Sequence, residues 1–119
     1  VSPDIEVKNA IIKSVRFDTE RGLSAWLDLD YGGSGQGFGG YLLYVPADWK
    51  HHGVGGNYAG HFIWRVLEIA GVDDWSKLAG RSIRVKAECA KVHAIGHIIK
   101  DDWFDPSADF LRAEKARGK

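Results

Sequence analysis

The sequence predicts an α+β fold: a small antiparallel sheet of about five strands with one main helix and short helical turns. Two observations carry this. Segments with strand-like alternation cluster together instead of alternating with helices, and one stretch, from Tyr58 to Ala70, is amphipathic at helical spacing. A third sets the scale. The chain has 119 residues, of which 45% are hydrophobic and 27% charged, which suits a single domain over residues 1–119.

The elements follow in order. Ile5 to Phe17 reads as a strand whose alternation slips near Ile11-Ile12, the mark of a bulge. Asp18 to Gly22 is a polar hairpin loop. Leu23 to Tyr31 alternates cleanly, with Leu23, Ala25, Leu27, Leu29 and Tyr31 toward the core. Ser24, Trp26, Asp28 and Asp30 share the other face, where Trp26 is out of place unless it serves a pocket or an interface. Gly32 to Gly40 holds six glycines in nine residues and reads as a connection to a third strand, Tyr41 to Val45, ended by Pro46. A His- and Gly-rich loop, Ala47 to Gly56, precedes the helix, with Asn57 as its expected N-cap and Gly71 as its stop. Asp73 to Leu78 forms one helical turn. Ser82 to Glu88 and Val92 to Ile99 form a pair of strands, Pro106 to Leu111 a short helix, and residues 112–119 a charged, frayed tail.

Charge and composition exclude several classes. Sixteen Lys and Arg balance sixteen Asp and Glu, so the chain lacks the cationic surplus that coats duplex nucleic acid. A small anionic ligand needs only a few local cations and stays compatible. One cysteine, Cys89, cannot make an internal disulfide, which suits a reducing compartment; within a strand pattern it reads as a small core residue. No apolar run approaches the ~20 residues that span a bilayer, and Val1-Ser2-Pro3-Asp4 has no signal-peptide character.

The chemical motifs are weak one by one. Gly35, Gly37 and Gly40 match G-x-G-x-x-G, but the dinucleotide fingerprint requires a helix after the loop, and an apolar β-like run follows. The run is either a bulged connection or a place of close approach to a ligand or a neighbouring subunit. His93 and His97, four apart on a strand, would stand roughly 13 Å apart, too far to share a zinc ion. No metal site and no nucleophile–base pair is legible, so no cofactor and no enzymatic activity is expected. The stretch from Lys91 to Pro106 joins aromatic, cationic and acidic residues. These are either core with solvated charges or a nucleotide pocket, in which an aromatic ring stacks a base and a cation meets phosphate.

Two longer motifs carry a resemblance. Leu27-Asp28-Leu29-Asp30-Tyr31-Gly32-Gly33-Ser34-Gly35-Gln36-Gly37-Phe38-Gly39-Gly40-Tyr41 is one. Lys91-Val92-His93-Ala94-Ile95-Gly96-His97, leading to Lys100-Asp101-Asp102-Trp103-Phe104, is the other. With the turn from Gly71-Val72 to Gly80, they resemble the first Thoeris anti-defence family of small phage proteins, over about Asn9 to Phe110. The resemblance implies a sponge in the cytoplasm of the infected bacterial host. It would bind a cyclic ADP-ribose-type signal, and in some members cyclic oligonucleotides, without cleaving it, as a homodimer or hexamer. On that reading Trp26, Phe38 and Trp103 are candidates to stack adenine, and Arg65, Arg84 and Lys100 to neutralise phosphates. Gln36 and Asp102 would bond polar edges, the Gly37 and Gly39 amides would cradle a phosphate, and His93 and His97 complete the ligand-binding set. The rival from another class is a protein-binding inhibitor of a defence nuclease, with the same aromatics as anchors.

Overall fold

The structure is a computed structural model that describes residues 5–44 and 58–117. Its elements are β1 (Glu6–Asp18), β2 (Ser24–Asp30), β3 (Gly35–Gly39), α1 (Ala59–Ala70), a 3-10 turn (Trp75–Lys77), β4 (Ser82–Ala87), β5 (Val92–Gly96), β6 (Trp103–Phe104) and α2 (Pro106–Arg117). The strands form one antiparallel sheet in the order β3-β2-β1-β4-β5-β6. The architecture is therefore α+β, as the clustering of strands predicts.

The long strand β1 organises the sheet. Its first half pairs with β4, from Glu6↔Ala87 to Ile11↔Ser82. Its second half pairs with β2, from Ile11↔Asp30 to Asp18↔Ser24. Ile11 alone faces both neighbours, so β2 and β4 diverge from it in opposite directions. The register slips between Ile12 and Ser14, one step beyond the expected bulge.

One face of the sheet carries the core. Ile12, Leu27, Phe38, Ile83, Val85, Ile95 and Phe104 project from it against Phe62, Val66 and Ile69 of α1, all essentially without solvent exposure. Phe62 is the hub, with Phe38 stacked at 5.9 Å and Phe104 edge-on at 5.6 Å. Burying each such ring contributes about 1.5–3 kcal/mol. Gly71, at φ +74°, stops α1 by turning its N–H back to the Leu67 and Glu68 carbonyls, a conformation that costs glycine little. Helix α2 docks through Phe110, stacked on Tyr58 at 4.2 Å, and through a 2.8 Å His61–Asp109 contact.

Several sequence expectations need correction. The glycine run is itself a strand: β3 is Gly35–Gly39, and the expected strand at Tyr41–Val45 is reduced to a bridge from Tyr44 to Leu23, with Val45 outside the described residues. The sheet has six strands rather than about five, because the Val92–Ile99 segment ends at Gly96 and a two-residue β6 follows a turn. Helix α2 continues to Arg117 where a frayed tail was expected. Cys89 is exposed in the β4–β5 turn, not in the core. The Ala47–Gly56 loop and the expected cap Asn57 lie outside the described residues. Among the described residues no helix is long and apolar enough to cross a membrane.

Candidate nucleotide-binding face

The second face of the sheet has a different character. The pairing registers place Trp26, Asp28, Asp30, Ser14, Arg16, Asn9, Ile11, Arg84, Lys86, Gly96 and Trp103 on it. Both helices pack on the core side. Ile11 and Val7 consequently stay about half exposed, at 47% and 58%.

Two tryptophans lie on this face, and each rests on glycine. The Trp103 ring covers Gly96, its partner in the β5–β6 ladder: a Cβ there would come within 2.5 Å of the ring. The Trp26 ring covers Gly37 and Gly40, where a Cβ would approach it to 3.3 and 2.3 Å. A ring lies flat on a sheet only where the neighbouring strand has no side chain in the way. Gly37 of β3 and Gly40 just beyond it therefore form the floor for Trp26, while Gly35 is glycine because a Cβ there would fall 2.4 Å from the Leu29 carbonyl oxygen. Gly39 adds a second constraint: at φ +126° its Cβ position falls 2.1 Å from the Ala25 carbonyl oxygen, so the two backbones touch.

Cations flank both rings. The Arg16 guanidinium sits 5.2 Å from the Trp26 centroid. Trp103 has two, the Arg84 guanidinium at 4.9 Å and the Lys86 ammonium at 4.4 Å, within cation–π range. Arg84 is held in place: Nε donates to the His97 carbonyl at 2.8 Å and Nη2 to the Lys100 carbonyl at 2.7 Å. The Trp103 indole N–H donates to Asp101 at 3.0 Å. Arg16 has a carboxylate within reach, Asp18 at 3.7 Å. Arg84, Lys86 and Lys100 form no ion pair among the described residues. Arg84 and Lys86 thus flank an aromatic ring with no carboxylate partner among the described residues, an arrangement chemically suited to an anion beside a stacked ring.

The other expected site residues have different surroundings. Arg65 is on α1, on the core side, and its charge is already met by Asp102 at 2.9 Å and Glu68 at 2.6 Å. Burial opposes its charge, but those hydrogen bonds and attractions outweigh it and raise the guanidinium's pKa. Arg65 also donates to the Trp103 carbonyl at 3.0 Å, so Arg65 and Asp102 position the Trp103 backbone. Phe38 is buried in the core with 1% exposure, so its ring has no face for a ligand. Gln36 spans the domain: Nε2 donates to the Glu88 and Cys89 carbonyls at 2.9 and 3.1 Å, and Oε1 accepts from the Tyr31 hydroxyl at 2.6 Å. That tie draws the β3 edge to the β4–β5 turn and curves the sheet. His93 bonds Glu88 at 2.8 Å, whereas the His97 ring accepts from the Ile99 and Lys100 amides, which shapes the turn before β6. The two histidines thus do separate local jobs, and no cluster of His, Cys, Asp and Glu among the described residues could hold a metal ion.

Of the twelve expected residues, the structure gathers Arg84, Trp103, Lys100 and His97 in one neighbourhood and places Trp26, Gly37 and Gly39 at the opposite wing of the sheet. Lys86 was missed. Its signal was present, since alternation from Arg84 places it on the same face two residues on. Comparisons with protein-family models, curated proteins and solved structures give no match.

Proposed function

We propose that this chain is a binding protein that captures a small phosphorylated nucleotide on the open face of its sheet and holds it intact. The observation that supports this best is the Trp103 ring, seated on Gly96 and flanked by Arg84 and Lys86, whose charges no carboxylate among the described residues neutralises. A base stacks on the indole, and the phosphates meet Arg84, Lys86 and Lys100. Base–aromatic stacking contributes about 1–3 kcal/mol and tolerates any base, so the cations and the surrounding polar groups set selectivity. The resemblance to the first Thoeris anti-defence family narrows the ligand to a cyclic ADP-ribose-type signal. It also implies a sponge that works as a homo-oligomer in the cytoplasm of an infected bacterium.

The test is capture and release. Protein incubated with cyclic ADP-ribose, separated from free ligand and then heated should return the same molecule, unaltered by chromatography and mass. A converted product would make the chain an enzyme, and no retained nucleotide would remove the reading.

A further inference from the structure

The strand that carries Trp103 is the shortest in the sheet. β6 has two residues and pairs only with β5, through Ile95↔Phe104 and Gly96↔Trp103. A ladder that short is marginal on its own and depends on what packs against it. Its other holds lie outside the ladder. The His97 N–H donates to the Asp102 carbonyl at 3.0 Å, Arg65 of α1 donates to the Trp103 carbonyl at 3.0 Å, and the chain runs directly on into α2.

Asp105 alone separates β6 from α2, and the joint is stiff. A residue before proline is confined to extended backbone, and Pro106 suits the first position of a helix because it has no N–H to lose. The Asp105 carboxylate accepts from the Ala108 N–H at 3.2 Å, and Pro106 is buried. A displacement of α2 is therefore passed on to Phe104 and Trp103.

Helix α2 has little to dock with. Phe110 and Leu111 are its only large apolar side chains, and Leu111 is 56% exposed. Phe110 carries the contact: it stacks on Tyr58 at 4.2 Å and meets Tyr41 edge-on at 6.1 Å. Beside it Asp109, also paired with Arg112 of the same helix, reaches His61 at 2.8 Å. The His61 ring stands between the elements, edge-on to Phe110 at 6.2 Å and to Phe104 at 5.7 Å. Phe110 thus reaches β6 both through the Asp105–Pro106 joint and through the His61 ring.

We infer that α2 is a strap for β6 and that Phe110 is a positioning residue for the Trp103 platform, acting from the opposite side of the sheet without touching a ligand. With α2 undocked, β6 keeps only its short ladder, the Asp102 bond and Arg65, and the Trp103 ring spends part of its time off the Gly96 floor. The apparent affinity for a molecule stacked on Trp103 falls by that fraction. Linkage makes the effect reciprocal, so a ligand on Trp103 tightens the docking of α2. The binding consequence rests on the nucleotide reading above; the strap itself is a property of the free chain.

The test reads Trp103 in the free protein first. The chain has five tryptophans, so its heteronuclear NMR spectrum carries five indole N–H signals, and Trp103→Phe identifies the one that matters. Phe110→Ala should shift or broaden the Trp103 signal and leave that of Trp26, on the far wing, in place. Calorimetric titration with cyclic ADP-ribose should then show an affinity about fivefold lower. Phe110→Leu, which keeps an apolar side chain, should restore most of both. Asp109→Ala, at the other contact of α2, should act in the same direction and more weakly, and it reads the strap if Phe110→Ala folds poorly. Leu111→Ala should change neither signal nor affinity. A Trp103 signal unmoved by Phe110→Ala and by Asp109→Ala would overturn the strap and leave the nucleotide reading standing. A Trp103 signal that moves, in a protein that binds no cyclic ADP-ribose even as wild type, would uphold the strap and overturn the nucleotide reading.

Discussion

Trp103 lies flat on Gly96, so close that a single methyl group at that glycine would sit 2.5 Å from the indole ring. The contact joins the last two strands of the sheet and gives the platform its orientation. Gly96 does not need a left-handed backbone, so its reason for being glycine is this contact alone.

Gly96→Ala should therefore keep the fold and tilt or eject the ring. We expect a changed tryptophan emission spectrum and at least tenfold weaker nucleotide binding, with far-ultraviolet circular dichroism close to wild type. Unchanged emission and affinity would show that the ring has room to spare.

Glycines elsewhere should respond according to their surroundings. Gly39→Ala meets both an unfavourable φ of +126° and the Ala25 carbonyl at 2.1 Å, and should cost about 2 kcal/mol or more. Gly60→Ala, in α1 with open space around it, should stabilise by about 0.5 kcal/mol. Urea denaturation of the two variants separates the cases.

Two arginines near Trp103 both hold backbone carbonyls, and one of them also serves binding. Arg65→Ala strips Asp102 and the Trp103 carbonyl of their partner and should lower stability by about 1–2 kcal/mol. Arg84→Ala removes the hydrogen bonds to the His97 and Lys100 carbonyls and should lower stability on a similar scale, and it should in addition weaken nucleotide binding more than tenfold. It should also reduce the salt dependence of binding.

Alkaline pH should weaken the fold through Tyr31. Burial holds its hydroxyl above the usual pKa of 10.0. Below pH 10 both folded and unfolded forms keep the proton and nothing changes. Above it the unfolded chain ionises first, so stability falls until the pH passes the raised folded value. Tyr31→Phe should flatten that part of the stability profile, at the loss of the hydrogen bond to Gln36.

How much of this was legible in the sequence varied with side-chain content. β1, β2, β4 and α1 declare themselves because buried and exposed side chains alternate or recur at helical spacing. β3 does not, because a strand of Gly-Gln-Gly-Phe-Gly has almost no pattern to read and its glycines signal a loop. The clue lay one strand away: a tryptophan at position 26 on a polar face needs a bare neighbour to lie on. β6 is two residues long, too short for periodicity. Trp103 and Arg84 were identifiable as site candidates by residue type. That Arg65 would be spent on Asp102, 37 residues distant, and Gln36 on Glu88, 52 residues distant, depends on tertiary contacts with no local signature.

The central claim is that Trp103 is the platform for a nucleotide, and calorimetric titration of wild-type and Trp103→Ala protein with cyclic ADP-ribose tests it most directly. The account predicts micromolar binding by the wild type and at least tenfold weaker binding by a folded Trp103→Ala variant. Equal affinity in the two proteins, or no heat of binding in the wild type, would contradict it.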